Sequence, residues 1–380
     1  MNTERLLLGP GPSPVSPRVM SALSRPVLSH LDPDLMAIMD DVRARLDRVF
    51  GAADGALSFA VSGTGTAGME TAVANTVHVG TRAIVVVNGY FGDRLAAIFE
   101  SYGAAVTRVQ GEWGRACDPA PVERALQAAP VDIVGIVHAE TSTGVLNPLE
   151  DLLSLARNAG ALTVVDAVTS LGGMPLRTGK WGIDVCYSCT QKGLGAPSGL
   201  APISFSGRAR SIDTPSRSFY FSRALLEQYW LQRKYHHTIS APLIYALREA
   251  LAVVEEEGIE ERWARHQRNH FALVAGLGAL GLELLPPPAE RLWTLNAVRV
   301  PQGIDEAAVR RRLLETFHIE IGAGLGPLAG RIWRVGLMGS GSTMGNVRRF
   351  LTAFEEVLRD QGYRIGAEGA AIAAAESASN

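Results

Sequence analysis

Short apolar runs alternating with helical patterns constrain this chain more than any other feature. Arg82-Ala83-Ile84-Val85-Val86-Val87, Asp132-Ile133-Val134-Gly135-Ile136-Val137 and Ala161-Leu162-Thr163-Val164-Val165 are runs of the buried-strand kind. Helical patterns lie between and around them, near 66–78, 92–103, 119–128 and 149–159. Strand, helix, strand in that order is the signature of βαβ units, so the expected fold class is α/β with a mainly parallel sheet. Two further runs, 183–189 and 200–205, flank a glycine-rich loop and read as a hairpin-like edge.

A helical pattern from Pro242 to Glu257 stops at Gly258 and looks like a bridge out of this large unit. Beyond it come a helix over 260–280, Pro286-Pro287-Pro288, a strand over 294–300, a helix over 305–317, a strand over 331–337 and a helix over 343–361. That is the size and order of a smaller α+β domain. The expected division is an N-terminal arm 1–20, a large domain 21–258, a small domain 259–362 and a disordered, alanine-rich tail 363–380. A chain of 380 residues with 47% hydrophobic content can bury one large core or two unequal ones.

Composition excludes several function classes. A net charge of −2 suggests neither a nucleic acid nor a charged membrane surface as partner. No run of apolar residues reaches the length of a membrane span. The N-terminal apolar stretch breaks at Gly9-Pro10-Gly11-Pro12, too soon for a secretory leader, so a cytoplasmic protein is expected. Cys117, Cys186 and Cys189 are too few for a disulfide framework. Cys186 and Cys189 form a C-x-x-C, but spacing of three puts them on opposite faces of a strand, and no second pair completes a metal site. No metal is expected.

Lysine is scarce: only Lys180, Lys192 and Lys234 occur, although lysine and arginine together number 36. A chain that uses arginine for nearly every positive charge keeps lysine where an amine must lose its proton or form a Schiff base. Lys192 has the best setting, in the glycine-rich loop between two strands.

Four further features fall at ends of expected strands, where an open α/β sheet places its ligands. Ser62-Gly63-Thr64-Gly65-Thr66-Ala67-Gly68 opens a helix and suits an anion, or is simply a turn with an N-cap. Asp166 ends a buried run; it either caps the next helix or meets a cation such as a protonated pyridine nitrogen. His138-Ala139-Glu140-Thr141-Ser142-Thr143-Gly144 offers hydroxyls that suit either a cofactor oxygen or a turn. Asn88-Gly89-Tyr90-Phe91-Gly92 offers an aromatic ring for a flat cofactor, or a core residue.

In that order these residues resemble the class V aminotransferases, the alanine–glyoxylate / serine–pyruvate aminotransferase family. The resemblance runs from Gly9-Pro10-Gly11-Pro12 to about Gln361 and is most specific at Ser62–Gly65, 138–144, 165–173, Gln191-Lys192, Tyr235-His236-His237-Thr238 and Arg334-Val335-Gly336-Leu337. It implies the fold type I architecture of transferases that depend on pyridoxal 5'-phosphate. It also implies roles. Lys192 would form the internal Schiff base and shuttle the proton, Asp166 would pair with the pyridine nitrogen, Phe91 would stack on the ring and Thr141 would approach its phenolic side. Thr64, Gly65, Thr66 and Gln191 would hold the phosphate. Tyr235 and Thr238 would reach the phosphate of the other subunit, making a homodimer with shared active sites. Arg334 would grip the substrate carboxylate, with Gly11 beside the same substrate.

The chain departs from the liver-type enzymes it resembles at two positions, Phe91 where they carry tryptophan and Thr66 where they carry histidine. His236 and His237 read as interface or core residues. The implied reaction is ping-pong transamination from alanine or serine to glyoxylate or pyruvate. Ureidoglycine–glyoxylate and pyridoxamine–pyruvate transaminases are the alternatives within the family. A cysteine desulfurase would need an activated thiol, and only Cys117 lies outside a strand. A non-catalytic ligand-binding protein would leave the Asp166–Lys192 pairing without a purpose.

Overall fold

The computed structural model describes residues 4–212 and 216–378. Residues 1–3 of the expected arm and 379–380 of the expected tail lie outside the described residues. The frame is a seven-stranded sheet made of β1 (Leu57–Ser62), β2 (Arg82–Val87), β3 (Ala105–Gln110), β4 (Ile133–Val137), β5 (Leu162–Asp166), β6 (Val185–Tyr187) and β7 (Leu200–Phe205), in the order β1-β7-β6-β5-β4-β2-β3. All strands except β7 run in one direction, and β7 is antiparallel to both its neighbours. The three buried apolar runs read from the sequence are β2, β4 and β5, in adjacent register at the centre.

The pair flanking the Lys192 loop does form an antiparallel hairpin, with Ile203 opposite Tyr187. It is not an edge, however. β1 pairs along the whole outer side of β7, Leu200 opposite Ser62 through to Phe205 opposite Leu57. The strand expected to end at Ser62 is thus β1; Ser58 sits fully buried in it, where its hydroxyl bonds the Ser204 hydroxyl at 2.9 Å instead of presenting an apolar side chain. β3, which the sequence reading did not name, is the edge on the far side of the sheet from β1, and half of its residues are exposed.

Two cores follow from this layout. The larger extends from Leu35 to Val254 and packs both faces of the sheet. The helix Pro33–Phe50 shows why the sequence folds so locally. Asp32 caps it by accepting from the Asp34 amide at 2.9 Å, Pro33 occupies the first turn, and Gly51 ends it at a φ of 59°. Leu35, Met39, Val42, Leu46 and Val49 then recur at helical spacing on its buried face.

The second core gathers Leu8 and residues from Ala272 to Ala375. Its three-stranded antiparallel sheet has the order Leu295–Arg299, Ile332–Gly336, Gly322–Ala323. The arm joins this unit directly: Leu6–Leu7 pairs in parallel with Ile319–Glu320, and the Leu8 carbonyl accepts from the Gly336 amide at 2.7 Å.

The region expected as a disordered tail, 363–380, is corrected by the structure. Ala370–Ala378 is a helix, with Ala371 and Ala375 fully buried in the second core. Alanines four apart share one helical face, and small side chains allow a close approach. At Gly276 the approach is so close that a Cβ would lie 3.0 Å from the Ala371 carbonyl oxygen. Alanine richness read as low complexity is here a packing surface. Ala371→Leu is expected to overpack this contact and to cost about 1–3 kcal/mol, measured by denaturant unfolding. An unchanged midpoint would show that the helix does not dock in solution.

Candidate active site

Because the strands of the sheet share one direction, their C-terminal ends deliver loops to one rim. One cavity of about 330 Å³ opens there, and Gly11, Thr64, Gly65, Thr66, Phe91, Asp166, Gln191 and Lys192 all line it. Every one of them was singled out in the sequence. Met69, Arg94 and Ser198 line the same cavity and were not; Val168 was quoted only within the segment 165–173, and Cys189 only as half of the C-x-x-C, with no site role expected of either. A void of that size suits a small molecule or cofactor.

Asp166 ends β5, the central strand, and is 3% exposed. One carboxylate oxygen accepts from the Val168 amide at 2.8 Å and the other from the Tyr187 hydroxyl at 2.9 Å. Tyr187 stands directly opposite Asp166 in β6. It went unremarked in the sequence, where only the predicted pairing of two strand ends would have found it. Burial pushes the Asp166 carboxyl up to about 6 despite these two donors, with Glu140 adding to the rise and Lys192 opposing it. Among the described residues no cation lies within ion-pair distance of it. The bond to the Val168 amide closes a turn, not a helix cap: residues 168–173 form turns and the next helix begins only at Thr178, so the reading of Asp166 as a helix cap is corrected.

Lys192 follows β6, and its ammonium donates to the Pro10 carbonyl of the arm. Burial holds its amine below the usual lysine range, and Arg334 lowers it further, while Cys189 and Asp166 act the other way. Ser13 fixes the loop twice, its hydroxyl donating to the Lys192 carbonyl at 2.8 Å and its amide to the Gln191 carbonyl at 2.9 Å. Gly11, at a φ of 112°, lies so close that a Cβ would meet Lys192 Nζ at 2.7 Å.

At the opposite end, the helix Gly65–Ala74 begins at Thr64 with no side-chain cap. The Gly65 and Thr66 amides have no protein acceptor among the described residues, so they and the helix dipole face the cavity as an anion site. The Gln191 amide oxygen is also buried without a partner.

Phe91 opens the helix Tyr90–Ser101, whose N-cap Gly89 has no side chain to cap it. Glu140 does so from a distant loop: its carboxylate accepts from the Phe91 amide at 3.2 Å and the Gly92 amide at 3.1 Å, and from the Ser142 hydroxyl at 2.6 Å. Glu140 was quoted in the sequence only as part of a hydroxyl-rich segment. Ser142 proves to shape the turn, also accepting from the Tyr90 amide at 2.9 Å. Thr141 does not line the cavity; its hydroxyl pairs with that of Thr169 at 2.5 Å, and its carbonyl lies 3.4 Å from Arg334 Nη1. His138 faces elsewhere, edge-on to Trp181.

Arg334 sits in the middle of its strand and donates from Nε to the Ala323 carbonyl at 2.6 Å. Burial lowers it to about 10, and Glu140 and Glu320 resist that fall, so it remains a cation at neutral pH. Tyr235 and Thr238 do not join this cavity: both are exposed, Tyr235 at 58% and with its ring against that of His30. His237 is buried beside them and bonds the Ser62 hydroxyl at 2.7 Å.

A sequence profile described as Aminotransferase class-V matches residues 9–331. The chain belongs to the class V aminotransferase family. It is 37% identical to the alanine–glyoxylate aminotransferase of Drosophila melanogaster over 365 residues, covering 93% of this chain and 92% of that one. The crystal structure of the ureidoglycine–glyoxylate aminotransferase from Bacillus subtilis superposes with a TM-score of 0.96 at 37% identity, covering 100% and 98% of the two chains. That of an alanine–glyoxylate aminotransferase from Nostoc sp. gives 0.91 at 44% identity, covering 94% and 96%. This class V aminotransferase has the fold type I architecture anticipated from its sequence. No helix among the described residues is long and apolar enough to cross a membrane, and none of its His, Cys, Asp and Glu residues cluster as metal ligands.

The raised Asp166 carboxyl gives a signed pH prediction for the cofactor-free protein. Its ordinary value of 3.8 is raised to about 6, so its contribution to stability is full below about pH 4 and is lost as pH rises through 6. Relative to Asp166→Asn, the wild-type protein should lose about 3 kcal/mol across that window, read as the difference between the two Tm values. A difference that stays flat from about pH 4 to about pH 8 would show that the carboxyl is not desolvated.

Proposed function

We propose that this aminotransferase uses pyridoxal 5'-phosphate to transfer the amino group of a small amino acid, alanine or serine, to glyoxylate or pyruvate. The observation that carries the reading is the sharing of one cavity by a buried carboxylate lacking a cation, an amine held below its usual range, and two free amides at a helix N-terminus. These fit the cofactor's three handles, the pyridine nitrogen, the aldehyde and the phosphate. When bound, the cofactor supplies a carbonyl that accepts the amino group and a ring that takes up electrons.

The protein's part is positioning and proton transfer. Asp166 would hold a proton on the pyridine nitrogen, since an ionised carboxylate so deeply buried needs a cation. Phe91 would lie against the ring, braced from behind by Glu140. Thr64, Gly65, Thr66 and Gln191 would hold the phosphate, while Thr141, paired with Thr169 outside the cavity, is left without the role the resemblance implied for it. Lys192, with its amine readily deprotonated, would take the proton from the substrate Cα and return it on the far side of the transfer. Arg334 would hold the substrate carboxylate.

Crowding favours small donors. A Cβ at Gly11 would strike Lys192, one at Gly322 would strike Pro10 at 2.4 Å, and one at Gly336 would strike the Gly9 carbonyl at 2.1 Å, so the arm leaves little room between lysine and arginine. Exposure of Tyr235 and Thr238 beside the Ser62 loop supports a homodimer in which each subunit lends them to its partner's phosphate. A desulfurase reading has no nucleophile: burial pushes Cys117 up to about 11 and Cys189 up to about 12, and Cys186 also lies well above its usual value. A second reading, (S)-ureidoglycine as donor, is favoured by the 0.96 TM-score to the Bacillus enzyme.

The protein incubated with pyridoxal phosphate is expected to turn yellow and to be bleached by its true donor. Lys192→Ala should stay uncoloured by this reaction and lose roughly a thousand-fold or more in kcat. Ranking alanine, serine and (S)-ureidoglycine by bleaching rate, with glyoxylate restoring the colour, decides between the two readings. A wild-type protein that stays colourless contradicts both.

A further inference from the structure

Arg94 is a charged cavity residue for which neither the sequence reading nor the roles above find a use. It lies three residues after Phe91 on the helix Tyr90–Ser101, so the two side chains share a face. Its guanidinium carbon stands 5.1 Å from the Phe91 ring centroid and 5.2 Å from that of Tyr90, while Nη1 donates to the Thr66 hydroxyl at 3.2 Å. It therefore touches the ring platform and the anion loop at once.

Charge accounting gives it work. The loop Ser62-Gly63-Thr64-Gly65-Thr66-Ala67-Gly68 contains no cationic side chain, and Gln191 and Ser198, which border the same end of the cavity, are neutral. Lys192 is occupied with the Pro10 carbonyl. A phosphate monoester carries nearly two negative charges, against roughly half a charge from a helix N-terminus. Arg94, meanwhile, has no carboxylate within 4.0 Å among the described residues, although most arginines of this chain are paired. Among the described residues, one of its five N–H donors is used, the bond to Thr66.

We propose that Arg94 is the cation of the phosphate site, donating to a phosphomonoester oxygen while its planar face stays on Phe91. The assignment rests on the cofactor reading above and deepens it. Only a guanidinium can stack on a ring and donate in its own plane at the same time, so the site discriminates against lysine as well as against neutral residues. One side chain would then couple ring stacking to phosphate capture.

Apoprotein is titrated with pyridoxal phosphate and, separately, with pyridoxal, which lacks the phosphate, following quenching of intrinsic fluorescence. Arg94→Gln should weaken pyridoxal phosphate binding about 10- to 100-fold and leave pyridoxal binding within about 3-fold. Arg94→Lys should recover only part of the loss. Equal losses for both ligands would overturn the proposal, since they would assign Arg94 a role in bracing Phe91 alone. Unchanged affinity for pyridoxal phosphate in both variants would overturn it as well. A wild-type protein that binds neither ligand would refute the cofactor reading itself and the Arg94 assignment with it, an outcome distinct from the other two. Circular dichroism and Tm of the variants establish that each is folded.

Discussion

Asp166 is a carboxylate at the end of the central strand of a seven-stranded sheet, buried and with no cation among the described residues within ion-pair distance. That is an expensive thing for a fold to keep, and the surroundings are arranged around it. Two donors, the Tyr187 hydroxyl and the Val168 amide, hold it in place without neutralising it. Tyr187 reaches it because β6 pairs with β5 in a register that sets the two residues side by side. The same strand then leads into Lys192, which brings the amine to the rim that Asp166 occupies. In the proposed function, that demand for a cation is what would make this rim of the sheet a place for a pyridine ring.

The site also depends on holding two cores together. The arm crosses between them, bonded to the small unit through Leu8 and to the lysine loop through Ser13. Arg262, almost fully buried at the start of the helix Ile259–Ala279, makes the second tie. It donates to the Gly172 carbonyl at 3.1 Å and the Gly193 carbonyl at 2.8 Å, reaching the loops that follow Asp166 and Lys192. Its charge is answered by Glu257 at 2.6 Å, at the end of the preceding helix. A buried cation with partners on both sides is costly to disrupt, which ties these loops to the helix that begins the small unit.

Much of this was legible in the sequence, and the reasons differ by residue. β2, β4 and β5 were legible because parallel strands buried on both faces read as unbroken apolar runs. Lys192 stood out through the scarcity of lysine, and Asp166 through its position after such a run. Arg334, by contrast, is one arginine among many, and only the family resemblance marked it. The end of β1 at Ser62 was legible, but its pairing with β7 was not, since Ser58 and Ser204 satisfy each other across two strands far apart in the chain. Glu140 and Tyr187 were hidden likewise, since their partners lie 48 and 21 residues away. Arg94 left a local trace, its spacing of three from Phe91, but nothing in the sequence says that its charge goes unanswered. The helix Ala370–Ala378 was misread because alanine alone does not reveal whether a face is packed.

The central claim is that the Asp166 carboxylate exists to hold a protonated pyridine nitrogen. Nitrogen NMR of the protein loaded with pyridoxal phosphate labelled at the ring nitrogen tests it directly. In the wild-type protein the resonance should stay at the protonated position from about pH 6 to about pH 9, and in Asp166→Asn it should move to the unprotonated position within that range. An unprotonated nitrogen in the wild-type protein near neutral pH would contradict the account, because the buried carboxylate would then be left without the cation it was built to meet.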